Sequence, residues 1–403
     1  MLRLARWGLA VSVAAAPLYL IRWHVGPLPT TVLENLELIT IALFVAQLLR
    51  HHRPLPFRTP FDIPIALFVL AAIAGIFVAP DHRGALGIFR AYIVEPIAIY
   101  YVAGALLQTE AAVELLLLVW GVGATLFSIV QLVTFANALL THQLNPSFAA
   151  AAFGINANSV ALYLEPLIGL ACGLAFFGTR RQRVVAVVVL VFLLPAELAT
   201  LSRGGLLALA ALVMIAIVTV RSTRVRIGLA AAAAAGVAGA LTLPVIGPRV
   251  GRAFDPVWGT FETRGRIWAA TFRMLRDHPV FGAGLNAYQS TMAPYRVADR
   301  NLVAEPYPHN IFLTSWTETG ILGLVAFPWL LIGLIVLPWR HFGRATGLQR
   351  PLLWGTGTAF AMVLVHGLVD SPYWKNDLSL EFWVLAAISA VSLRIVYNSS
   401  PAR

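Results

Sequence analysis

Apolar stretches, each about as long as a helix that crosses a bilayer, follow one another from end to end of this sequence. Inside lipid there is no water to bond the backbone, so each stretch must satisfy its own N–H and C=O groups, as a helix does. Charged residues make up only 12% of the chain, against about a quarter in soluble proteins. The expected class is therefore an all-α polytopic membrane protein whose core is a helix bundle in lipid.

Twelve spans are expected, over 6–22, 32–49, 62–79, 87–106, 112–134, 156–177, 183–200, 204–220, 227–246, 318–338, 351–369 and 378–397. They divide the chain into nine helices within 1–246, a long connection over 247–317 and three helices within 318–403. Ala14-Ala15-Ala16 would suit a signal cleavage site, but the apolar run continues through Ile21, so this segment reads as the first span. The single Cys172 excludes an intramolecular disulfide.

The net charge of +11 is almost all arginine, with Lys375 the only lysine. It falls in short clusters between apolar stretches rather than in one stripe, which argues against nucleic acid as a partner. Arg50, Arg53 and Arg58, then Arg180, Arg181 and Arg183, then Arg221, Arg224 and Arg226, then Arg340, Arg344 and Arg350 occupy alternate connections. The positive-inside rule places these clusters and both termini in the cytoplasm, and 247–317 on the outer side.

A connection that long in a helix bundle points to function. Within it, 264–277 has helical periodicity, with Ile267, Trp268, Thr271, Phe272 and Leu275 on one face and Arg266, Arg273 and Asp277 on another. Such a helix suits the membrane surface or a cap over a site. The segment is rich in arginine (Arg249, Arg252, Arg264, Arg266, Arg273, Arg276, Arg296 and Arg300). Guanidinium groups bind phosphate through paired hydrogen bonds and keep their charge, so the cluster suits a phosphorylated ligand or lipid headgroups.

Ser202-Arg203-Gly204-Gly205 lies at the outer end of two spans. Ser202 can cap the following helix, Arg203 with that helix N-terminus can hold a phosphate, and the glycines can let a ligand approach the backbone. Alternatively Arg203 reaches lipid headgroups or pairs with Glu197. His309 is a candidate base: a helix starting near Asn310 puts the imidazole at a positive dipole end, which favours its neutral form. Gly320 lies eleven residues on, on the same side of a continuous helix, and with Gly323 allows close helix packing. His366 and Asp370, one turn apart, read as support for their neighbours. Glu95-Pro96 and Glu165-Pro166 read as proton-relay positions or as kinks whose carboxylate bonds a neighbour. No Asp-x-Asp pair and no His/Cys spacing suggests a metal, and none is expected.

His309-Asn310, nine residues, then Gly320-x-x-Gly323 resembles the motif of bacterial O-antigen ligases, within the O-antigen ligase/polymerase superfamily. Ser202-Arg203-Gly204-Gly205, Arg264…Trp268 followed by Pro279-x-x-Gly282-x-Gly284, His366-Gly367-Leu368-x-Asp370 and, more weakly, Gly154…Asn158 are similar too. The resemblance implies a GT-C-like fold in the bacterial inner membrane. It implies a metal-independent inverting glycosyltransferase, without cofactor, that moves O-antigen from undecaprenyl pyrophosphate to lipid A–core oligosaccharide at the periplasmic face. It makes His309 the motif histidine, and Arg203 with Arg264 or Arg266 the pyrophosphate ligands; Ser202, Asn310, Arg273, His366 and Asp370 are placed as substrate-binding. Polymerases of the superfamily carry an arginine–ten residues–glycine motif on two outer loops, which Arg273 and Gly284 match once. A transporter would put its polar groups at midplane instead.

Overall fold

Helix after helix in this chain begins on a side chain that accepts a bond from the first free backbone N–H groups. Thr109 starts α6 (Glu110–Leu140), Asn156 starts α7 (Ala157–Phe177), and Thr179 with Gln182 forms a capping box on α8 (Arg180–Ala199). The computed structural model describes residues 1–26, 28–51, 58–143, 150–242, 247, 260–296 and 304–399. Before α6 come α1 (Leu2–Ala14), α2 (Val32–His51), α3 (Asp62–Val78), α4 (His82–Ile88) and α5 (Glu95–Leu106). After α8 come α9 (Arg203–Thr219), α10 (Thr223–Thr242), α11 (Thr260–Asp277), α12 (Tyr288–Thr291), α13 (Ala293–Arg296), α14 (Ile311–Phe342), α15 (Gln349–Gly367) and α16 (Asn376–Ser399). Arg53, Arg249, Arg252 and Arg300 lie outside the described residues.

Seven helices among the described residues are long and apolar enough to cross a membrane: α2, the continuous His82–Leu106, α6, α7, α8, α14 and α16. The apolar α3 and α9 are shorter. α10 and α15 overlie the expected spans 227–246 and 351–369 without joining that set. For α15 the reason is its position. It is packed among α7, α9, α14 and α16 and is buried along most of its length, so polar residues such as Thr356, Thr358 and His366 face protein rather than lipid. Gly173 of α7 and Gly355 of α15 sit at the crossing, where a Cβ on Gly173 would stand 2.8 Å from the Gly355 Cα.

The segment 6–22 is not one helix. α1 ends at Ala14, Pro17 opens a 3-10 turn over Ala16–Leu20, and the chain then forms an antiparallel hairpin of β1 (Arg22–Val25) and β2 (Leu28–Thr31). Between α4 and α5 the helix widens to a π turn over Phe89–Val94, just before Pro96, which has no N–H to give. Arg90 there reaches Glu34 at 2.5 Å and Glu95 at 3.4 Å, so Glu95 sits at a distorted helix beside an arginine.

α14 is also broken, at Gly320 (φ +68°, ψ −170°). The continuous helix expected from His309 to Gly323 is therefore absent, and the glycine is what permits the break. Residues 280–286 run through the gap: Ile321 N donates to Val280 O at 2.8 Å, Ala283 N to Thr317 O at 2.7 Å, and Leu285 N to Gly75 O at 3.0 Å. Asn286 N donates to the buried Glu318 carboxylate at 2.6 Å. This backbone-to-backbone seam ties α11 and the start of α14 to α3. Gly320→Ala should destabilise the fold by roughly 1–3 kcal/mol, because that φ/ψ region is essentially glycine-only and its Cβ would lie 2.4 Å from Val280 O. Thermal unfolding of the purified variant measures this; an unchanged midpoint would show that the seam carries no strain.

Candidate active site

Five separated stretches meet at one end of the bundle: the start of α7, the start of α9, α11, residues 305–310 and residues 366–371. Asp370, just past α15, is their hub. Its Oδ1 accepts from Ser371 N at 2.9 Å and lies 3.0 Å from His309 Nδ1. Its Oδ2 accepts from Asn158 Nδ2 at 3.0 Å and from Arg264 Nη2 at 3.4 Å. Four donors on a buried carboxylate leave no lone pair idle and fix the ring of His309.

His309 has the left-handed φ of +52°, uncommon for a side-chain-bearing residue. Its neighbours hold it there. Trp268 Nε1 on α11 donates to Pro308 O at 2.9 Å, and Asn310 Nδ2 donates to Leu368 O at 2.9 Å. Asn310 Oδ1 also accepts from Phe312 N and Leu313 N, each at 3.0 Å, and so caps α14. The second ring nitrogen, Nε2, lies 3.3 Å from Glu305 Oε2.

The imidazole thus stands between two carboxylates. Burial opposes its charge, yet the hydrogen bonds to Asp370 and Glu305 prevail and raise its pKa to about 9. The neutral form expected from the helix dipole is overturned, since a full negative charge at each nitrogen outweighs a partial positive one at a helix end. The bond from His309 holds the Glu305 carboxyl below its ordinary range. Burial works against the Asp370 carboxylate as well, but the His309 bond and the charges of His309, His366 and Arg264 hold it ionised. Arg264 is lowered by burial, with the charge of Arg203 adding to the effect. Arg203 is thus within electrostatic reach of Arg264, which itself acts on the histidine.

Arg264 and Arg266, which the sequence left undecided, separate clearly. Arg264 turns inward to Asp370, while Arg266 turns outward and pairs with Glu262 at 3.5 Å. The buried face of α11 carries Arg264, Ile267, Ala270, Thr271, Met274 and Leu275; Phe272, expected on that face, is exposed along with Arg273. Ser202 caps α9 by accepting from Gly205 N at 3.2 Å. Gly204 and Gly205 do make room, but for protein: a Cβ on Gly204 would strike the His366 ring, and one on Gly205 the Glu197 carboxylate, each at 2.2 Å. Glu197 is buried with neither oxygen hydrogen-bonded among the described residues, so it is not the partner of Arg203. His366 is fully buried and bonds Glu165 at 2.6 Å. His366 therefore supports the site from beneath, paired with Glu165 rather than with Asp370.

Sequence reasoning missed Glu305 and the partner of Asn158. The position of Glu305 four residues before His309 was the available signal. Asn158 was noticed, but its partner is 212 positions away. Among the described residues, no group of three or more His, Cys, Asp or Glu side chains is arranged to hold a metal ion.

Residues 188–328 match the family model described as O-antigen ligase. That stretch contains Arg203, Arg264, Glu305 and His309, and ends before Asp370. No curated protein matches the chain.

Proposed function

We propose that this chain, whose residues 188–328 match the O-antigen ligase family model, is an O-antigen ligase of the bacterial inner membrane. In this reading it has twelve spans in a GT-C-like arrangement and transfers a glycan from undecaprenyl pyrophosphate to lipid A–core oligosaccharide at the periplasmic face, without a metal. One observation carries the reading: His309 and Arg264 share the buried carboxylate of Asp370, with Arg203 within electrostatic reach of Arg264, and all of these but Asp370 lie in the matched stretch. Inverting transfer requires a base at the acceptor hydroxyl and positive charge at the leaving pyrophosphate. His309, aligned by Asp370, removes the hydroxyl proton through Nε2. That hydroxyl attacks the anomeric carbon as the glycosidic C–O bond to pyrophosphate breaks. Arg264 and Arg203 stabilise the charge that builds on the departing group, by on the order of 3 kcal/mol for each well-placed donor. Both substrates are membrane-anchored, which reduces the entropy of their encounter.

The decisive experiment is reconstitution with a lipid-linked glycan donor and one of two acceptors, lipid A–core or a second lipid-linked glycan. Product on lipid A–core supports the ligase, product only on the lipid-linked glycan assigns a polymerase, and no transfer to either removes the reading.

The resting His309 must also lose its proton before it accepts another. With its pKa raised from the ordinary 6.5 to about 9, the imidazole is charged at neutral pH in the free protein. It becomes a base as pH rises through that value. The kcat/KM profile, which reports the free enzyme, should therefore climb with pH on a limb near 9, and Glu305→Gln should move that limb toward acid. Superimposable profiles for the two proteins would show that Glu305 does not hold the proton.

A further inference from the structure

A cavity of about 310 Å³ opens between α6, α7 and α8, far from the candidate active site. α7 starts at the site, where Asn158 meets Asp370, and ends at Phe177; the cavity mouth lies just beyond that opposite end. Its walls are apolar, with Leu118, Gly121, Leu167, Leu174, Val189 and Leu193 among them. The size falls in the range of small-ligand pockets. Its mouth is different in kind: Glu114, Arg181 and Gln182 converge there. Gln182 Nε2 donates to Glu114 Oε1 at 3.0 Å, which engages the one carboxylate at the rim. Arg181 is exposed and makes no hydrogen bond or ion pair among the described residues. Arg180 and Arg183 flank it, so the rim is positive although Glu114 belongs to it.

We propose that this cavity binds one acyl chain of an anionic phospholipid, with Arg181 on the lipid phosphate. An apolar slot in the side of a membrane helix bundle is filled by hydrocarbon. A free guanidinium at its mouth selects a chain whose head is negative, and the arginine clusters at this end of the bundle add to the attraction. The glycan donor does not fit this role, because its pyrophosphate belongs with Arg203 and Arg264 at the other end.

The test is native mass spectrometry of the delipidated full chain titrated with phosphatidylglycerol, phosphatidylethanolamine or undecaprenyl phosphate. One phosphatidylglycerol should remain bound under activation that strips phosphatidylethanolamine. Arg181→Gln, on the exposed rim, should lower its occupancy about fivefold, the effect of one basic residue near an anionic lipid. Ala171→Phe, which fills the slot, should abolish it. Arg181→Gln leaves the walls untouched, so a folding defect in the filled variant still leaves one variant to read. Equal retention of the two phospholipids, an adduct indifferent to Arg181→Gln, or displacement of phosphatidylglycerol by undecaprenyl phosphate would each overturn the proposal.

Discussion

His309→Ala lowers glycan transfer by roughly 10²–10⁴-fold, the range for loss of a positioned general base, while the protein still inserts and folds. The geometry separates these two outcomes. The His309 side chain is 23% exposed and packs at the edge of the cluster. Its removal leaves Asp370 with three other donors: Ser371 N, Asn158 Nδ2 and Arg264. No buried charge is stranded, so the stability change stays small. The cap on α14 survives too, because it belongs to Asn310. Long-chain lipopolysaccharide on a gel, alongside protein level in isolated membranes, reads both at once. A normal ladder from the variant would remove His309 from the chemistry, and the ligase mechanism with it.

The helix bundle could be read in the sequence because lipid imposes one rule on every span, and apolar length reports it directly. The first span misled for a local reason: hydropathy continues through Pro17–Ile21, but Pro17 and the strand-forming Arg22–Val25 end the helix early. The Gly320 break was hidden for the opposite reason. Its cause is the seam formed by residues 280–286, about forty residues away in sequence, and no helical period reports a contact of that kind. Individual site residues were legible wherever residue type carried the chemistry, as with His309, Arg203 and Arg264. Their pairing was not. Asp370 was read with His366, one turn away, yet across the tertiary fold it serves His309, and His366 turns to Glu165 instead. The proton on His309 depended on the same unseen pairing, because two carboxylates reversed what the helix end alone would favour.

That pairing is tested most severely by Asp370→Asn, which keeps the shape of the side chain and removes its charge. An amide has one oxygen where the carboxylate has two, and its NH₂ must point at a donor: His309, Arg264 or Asn158. The imidazole loses the partner that fixes its ring and tautomer, the role a carboxylate plays toward the histidine of a hydrolytic triad, where the same change costs about 10⁴ in kcat. A fall of about 10³-fold or more in turnover is expected. Asp370 contacts no reacting atom in this scheme; it positions His309, and the pH profile distinguishes that from a general loss of structure. Without Asp370 the pKa of His309 should fall from about 9 toward its ordinary 6.5, so the rising limb of kcat/KM moves to lower pH even as the maximum drops. A merely destabilised protein would lose amplitude and keep its limb. Arg264 is buried and loses its partner as well, so the variant should unfold at a lower temperature, and residual transfer is measured well below that point. Turnover within a few-fold of the unmodified protein, with the limb still near pH 9, would mean that the buried carboxylate does not govern the histidine.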